Sequence, residues 1–140
     1  MTRIDFYVLS THDPQQRRIT ACRLVEKAYR QGLPLYLKTA SEEDTRVFDD
    51  LLWTFRQGSF VPHERADSAD REAPVIIGHQ APPPECRGVL VNLGAEVPAG
   101  WQQFERVAEL VDQDEQVRHA GRQRYKHYQS EGHAIQTHTL

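Results

Sequence analysis

The chain has 140 residues, 39% of them apolar and 26% charged, with a net charge of −3. These values describe a globular chain and exclude a disordered tail, a coiled coil, or a protein coated in positive charge for gripping nucleic acid over its whole surface. Two cysteines, Cys22 and Cys86, are too few for a disulfide scaffold, and no apolar run reaches the length of a membrane span, so a reducing, cytoplasmic setting is expected.

In chain order, residues 4–9 form a short β-prone run, a first strand. Its acid, Asp5, stands where a secretory leader would need apolar side chains. Asp13 reads as a helix N-cap, with Pro14 at the first helical position and Gln16 placed for a capping box. That helix runs to about Gln31 and stops at Gly32. Ala21, Cys22, Val25, Ala28 and Tyr29 share its core face. Residues 35–37 form a second strand.

A second helix opens at 41–44, with acids in its first turn that suit the helix dipole. Val47, Phe48, Leu51, Leu52 and Phe55 fall on one side of it, and Trp53 projects on the other; Gly58 ends the segment. Residues 64–73 read as a solvated loop, 74–77 as a third strand and 82–84 as a proline turn. Residues 89–93 form a fourth strand, apolar enough to be central. Periodicity over 106–111 is ambiguous, but a helix start at 112–115 favours a strand there. The last helix extends to about Ser130 with Gly132 at its C-cap, and 133–140 reads as a flexible tail. Alternating strands and helices predict one domain over 1–140, a three-layer α/β sandwich with a mainly parallel sheet.

Such a fold invites a nucleotide site, yet no phosphate-binding glycine pattern occurs, and the link after the first strand, residues 10–14, has no glycine. His12 and Asp13 stand where α/β active sites often sit, which keeps a small hydrolase or nucleotide-binding enzyme as an alternative. Asp13, however, is already explained as a helix cap. Seven histidines lack metal-site spacing, and His133 and His138 read as solvated. Neither thiol stands in the basic, half-exposed setting of a reactive cysteine. No cofactor or metal is expected.

Two features resist a bland reading. Trp53, on the polar face of its helix, is followed by Phe60, Pro62 and His63. Either these form an apolar partner surface, or the helix ends early and the indole folds inward. The last helix carries Arg118, Arg122, Arg124 and Lys126 between Val117 and Tyr128 with no acid. Arg118, Arg122 and Tyr125 share one face. Cations near a helix C-terminus can merely complement the dipole; the functional reading is a receptor for an acidic ligand with one apolar group. As a direct stacking platform for single-stranded DNA this helix is poor, because Tyr125 and Tyr128 face different ways.

The order of residues 6–9, 52–55, 59–63, 89–93 and 124–128 (FYVL, LWTF, SFVPH, VLVNL and RYKHY) resembles the chi subunit family of bacterial DNA polymerase III. The resemblance implies a Rossmann-like fold without a phosphate-binding loop, and a non-catalytic adaptor. Its expected partners are the acidic C-terminal tail of single-stranded-DNA-binding protein, which ends in an apolar pair, and the psi subunit of the clamp loader. Carried onto this sequence, the tail site falls on Val111, Arg118, Arg122 and Tyr125, with Lys126 alongside. The psi surface falls on Trp53, Phe60, Pro62 and His63. An arginine at 118 would hold a carboxylate through a planar fork, where a lysine offers only a point charge.

Overall fold

The computed structural model describes residues 2–58, 60–68 and 71–140. Met1, Ser59 of the 59–63 motif, and Ala69 and Asp70 of the polar loop lie outside the described residues.

Seven strands form one sheet: β1 (Arg3–Val8), β2 (Leu35–Lys38), β3 (His63–Arg65), β4 (Val75–Gly78), β5 (Val89–Asn92), β6 (Arg106–Val111) and β7 (Ile135–Thr139). Their order is β3-β4-β2-β5-β6-β1-β7, and every pairing is parallel. Parallel neighbours need crossovers, and α1 (Pro14–Arg30), α2 (Glu42–Thr54) and α3 (Glu115–Ser130) supply three of them. Helices α1 and α2 lie on one face, where Ala21, Cys22, Val25, Phe48 and Leu52 pack on Leu35, Leu37, Ile77, Val91 and Leu110. Helix α3 and the turn at Trp101–Gln103 cover the other, where Trp101, Phe104 and Tyr128 pack on Ile4, Phe6, Leu90 and Val107. This is the three-layer Rossmann-like sandwich that the alternating pattern predicts. Among the described residues no helix is long and apolar enough to cross a membrane.

The caps explain where the helices begin. The Asp13 carboxylate accepts from the Gln15 amide at 3.0 Å, and Ser41 Oγ accepts from the Asp44 amide at 3.1 Å. The expected capping box is absent, because the Asp13 amide donates to Thr11 Oγ1 at 3.1 Å and leaves Gln16 no role. Pro14 has no N–H, the Gln15 amide is held by the Asp13 carboxylate and the Gln16 amide by the Asp13 carbonyl, so these first amides of α1 are not open to an anion.

Four further expectations are corrected. The loop predicted over 64–73 opens with β3, a three-residue edge strand whose two charged residues hide it from an apolar pattern. The flexible tail predicted over 133–140 contains β7, which pairs with β1 from Ile4↔Ile135 to Val8↔Thr139. One strongly apolar residue, Ile135, is too little to show as a strand; backbone pairing and side-chain bonds hold it. Accordingly His133 and His138 are not bare solvent histidines. His133 lies 3.0 Å from the Thr2 carbonyl, with its ring on Trp101, and His138 Nε2 lies 3.0 Å from Asp5 Oδ1. Val47, expected in the α2 core stripe, is 37% exposed at its edge.

Asp5 is fully buried, yet it carries His138 at 3.0 Å, Arg106 at 2.8 Å and Arg3 at 3.1 Å. Burial alone would raise its carboxyl, but the His138 hydrogen bond and the two guanidiniums outweigh that and hold it below the usual carboxylate value. Stability from such a group is whole above the unfolded value and fades as pH falls through the lowered one. Asp5→Asn should therefore flatten the acid limb, below about pH 4, of a plot of denaturation midpoint against pH. An acid limb as steep as the parent's would show that the carboxylate does not contribute.

Candidate functional site

Helix α3 starts at Asp114, whose carboxylate accepts from the amides of Gln116 and Val117, each at 3.1 Å. It then passes unusually close to the end of β6. A methyl group on Gly121 would stand 2.8 Å from Val111 Cγ2, so only glycine permits this approach. The close approach brings the outer side of α3 down to the carboxyl ends of β1, β6 and β7. There Phe6, Val8, Val111 and Thr137 floor a hollow of about 290 Å³, and Arg118, Arg122 and Tyr125 border it from successive helical turns. Gln113 closes one end, fixed by a 2.8 Å hydrogen bond to the Leu9 carbonyl. Tyr125 stands edge-on to Phe6 with ring centres 5.3 Å apart, which makes that wall aromatic.

Two cations thus flank an apolar notch, and neither Arg118 nor Arg122 forms an ion pair with a described residue. A comparable hollow of about 330 Å³, lined by Tyr36, Glu42, Arg65, Asp67, Arg71 and Glu85, lies near the other edge of the sheet. Its cations are already matched internally, Arg65 by Glu42 and Asp67, and Arg71 by Glu85 at 3.1 Å. An anionic ligand would have to displace those partners, so of these two hollows the α3 one is chemically ready for an acidic guest.

Of the five residues expected at an acidic-tail site, four line this hollow: Val111, Arg118, Arg122 and Tyr125. Lys126 is exposed and does not line it. Sequence reasoning missed Phe6, Val8, Gln113 and Thr137, which come from the other strands and the β6–α3 turn.

Arg124, in the same basic run, turns inward instead. It is 3% exposed, with Nε 2.9 Å from Glu109 Oε1 and a second bond of 3.0 Å to the Ala95 carbonyl. Glu109 also accepts from Tyr128 Oη at 2.7 Å and Asn92 Nδ2 at 3.0 Å. Burial pushes this carboxyl up, against the pull of Arg124 and the other donors. A lone acid inside the apolar run of β6 was the available signal for this pairing.

On the opposite side, Trp53 at the end of α2 is 43% exposed and Phe60 67% exposed, with ring centres 5.3 Å apart. The indole lies 4.2 Å from the His63 ring, which is buried. His63 Nδ1 is 2.7 Å from the Val61 carbonyl and Nε2 is 3.0 Å from Asp49 Oδ1, so the imidazole buttresses the indole from below. Pro62 is half-buried beside them. Trp53 and Phe60 thus form one apolar surface supported by His63, and the inward-folded alternative for Trp53 does not occur.

His12 and Asp13 are both exposed, and the Asp13 carboxylate is occupied by the helix cap. Among the described residues no group of three histidine, cysteine or acidic side chains could hold a metal ion.

The protein family described as DNA polymerase III chi subunit, HolC, matches this chain over residues 1–136. The DNA polymerase III subunit chi of Pseudomonas aeruginosa is 44% identical over 100% of this chain and 98% of its own length. The Haemophilus influenzae protein of the same name is 26% identical over 94% of this chain and 93% of its own. That of Escherichia coli K12 is 28% identical over 84% and 82% respectively.

Proposed function

The chain belongs to the DNA polymerase III chi subunit family, and on that premise we propose that it is a non-catalytic adaptor of the replication machinery. In this reading the α3 hollow receives the acidic C-terminal tail of single-stranded-DNA-binding protein. The Trp53–Phe60 surface docks the psi subunit and, through it, the clamp loader.

The observation that carries the reading is the pair of uncompensated arginines beside an apolar notch on a net-acidic chain. A disordered acidic tail is drawn in by charge. An arginine fork takes its terminal carboxylate. Its last apolar side chain then enters the space between Phe6, Val111 and Tyr125.

Magnitudes set the expected strength. Two exposed ion pairs contribute about 0.2–1 kcal/mol each, and burying one aromatic ring about 1.5–3 kcal/mol. Ordering the tail offsets part of this. The gross sum of about 2–5 kcal/mol, less that cost, gives weak binding, about millimolar, that falls with added salt. Calorimetry with a synthetic acidic peptide ending in phenylalanine, and with the same peptide lacking that residue, tests the site. Binding of equal strength by both peptides would exclude the notch as the receptor for the ring.

The psi surface should behave differently, because it rests on apolar area rather than charge. Trp53→Ala should weaken psi binding by at least about tenfold, the loss typical of a buried aromatic anchor, and leave the tail peptide's affinity unchanged. Co-purification of psi with the variant at full yield, in high salt, would remove Trp53 from that interface.

A further inference from the structure

The side of the sheet that carries α1 is only partly covered. Helix α1 packs chiefly over β2, β5 and β6 and meets β1 at the hollow beside Tyr7; among the described residues no helix packs chiefly over this side of β1 and β7. Strand alternation turns Arg3, Asp5 and Tyr7 of β1, and Gln136 and His138 of β7, toward this side. Arg106 of β6 faces the same way, bonded to Asp5 at 2.8 Å and to the Tyr7 hydroxyl.

The charges here do not cancel. One buried carboxylate, Asp5, serves two guanidiniums and an imidazole, and the Arg3, Arg106 and His138 side chains remain 54%, 32% and 38% exposed. Lys27 of α1 borders a small hollow together with Tyr7 and Arg106. Arg23 lies one turn earlier on the same helix face; both are exposed and neither forms an ion pair with a described residue. Helix α1 as a whole carries five cations and one acid, Glu26. A basic surface therefore runs from Arg23 and Lys27 across Arg106 to Arg3, on a chain whose net charge is −3.

The shape of this surface narrows the guest. The hollow between α1 and Tyr7 measures about 30 Å³, room for a water or two and far too small for an anchoring side chain. Instead the strip offers flat rings: Tyr7 and His138, paired across β1 and β7, stack with centres 4.8 Å apart and planes 17° from parallel. Cations spaced along an open strand face, with aromatic rings among them and a hollow too small for a side chain, match a chain of phosphates carrying flat bases.

We propose that this open β1–β7 strip, with the Arg23–Lys27 edge of α1, binds the backbone of a single-stranded polynucleotide. It lies on the opposite side of the sheet from the α3 hollow, so a strand held here leaves that hollow open.

Fluorescence anisotropy of the intact chain with a labelled oligothymidylate tests this. Three or four phosphate contacts give a log–log salt slope of about −2 to −3, so affinity should fall about 15- to 60-fold between 50 and 200 mM salt. Arg23→Glu combined with Lys27→Glu, both exposed and without ion-pair partners, should weaken binding by at least about tenfold. Arg3→Gln should reduce the salt slope by about 0.7. The charge reversals Arg118→Glu and Arg122→Glu on α3 should leave oligothymidylate binding unchanged while removing the acidic peptide. The proposal is overturned if the oligonucleotide does not bind at low salt, if the α1 reversal leaves binding intact, or if the α3 reversal abolishes it. Equal competition by a polyglutamate peptide would also overturn it, because the strip would then be reading charge alone.

Discussion

Arg122→Glu, made together with Arg118→Glu, should abolish binding of the acidic tail peptide while the circular dichroism spectrum and melting temperature stay close to those of the parent. The fold is expected to tolerate the change because neither guanidinium has an ion-pair partner among the described residues, so removing them strands no buried charge. The loss should be large because the sign reverses. Two attractive contacts become two repulsive ones beside the same carboxylate, and the steering field that gathers the tail is cancelled. The dissociation constant should rise at least about 100-fold, a change of roughly 3 kcal/mol. A double reversal that binds the peptide within a factor of about two of the parent would place the tail elsewhere.

The second large effect is on stability. Arg124→Met should cost about 3–5 kcal/mol, because it leaves the fully buried Glu109 without its cation. For a chain of this length that corresponds to a melting temperature lower by about 10–20 °C. Tyr128 and Asn92 still donate to the carboxylate, but neither supplies charge. Without Arg124, only the Tyr128 and Asn92 hydrogen bonds oppose burial, and Glu109 takes up a proton more readily. The deficit of the variant should therefore grow as pH rises from 5 to 8. Adding Glu109→Gln removes the stranded charge and keeps an acceptor for Tyr128, so the double variant should recover at least half of the loss. Urea denaturation of the parent and both variants at the two pH values measures all of this. A single variant within about 1 kcal/mol of the parent at pH 8 would mean that the ion pair contributes little.

How much of this could be read from the sequence depended on the physical signal each element sends. Strands β1, β2, β4 and β5 and the starts of the three helices were legible because apolar periodicity and capping residues act locally, while β6, ambiguous by periodicity, was placed only by the helix start that follows it. Edge strands β3 and β7 were not, since an edge needs only one buried side and is held by backbone pairing that leaves no periodic trace. The wall of the α3 hollow given by the helix, Arg118, Arg122 and Tyr125, was legible from spacing alone. Of its floor only Val111 was named, through the family resemblance; Phe6, Val8 and Thr137 come from strands that join α3 only once the sheet order is known. Arg124 illustrates the same limit: within its run it looks like every other cation, and only Glu109 on β6 shows that it points inward.

The position of β1 between β6 and β7 has a consequence for biogenesis. Both strands that flank β1 lie more than a hundred residues downstream, from Arg3↔Arg106 and Ile4↔Ile135. On the ribosome, this first strand therefore emerges with both hydrogen-bonding edges bare and stays so until nearly the entire chain has been translated. Long-range parallel pairing of this kind makes folding slow and leaves the nascent polypeptide open to self-association. Newly made molecules would thus depend on being shielded, by chaperones or by dilution, during the interval before the sheet can close.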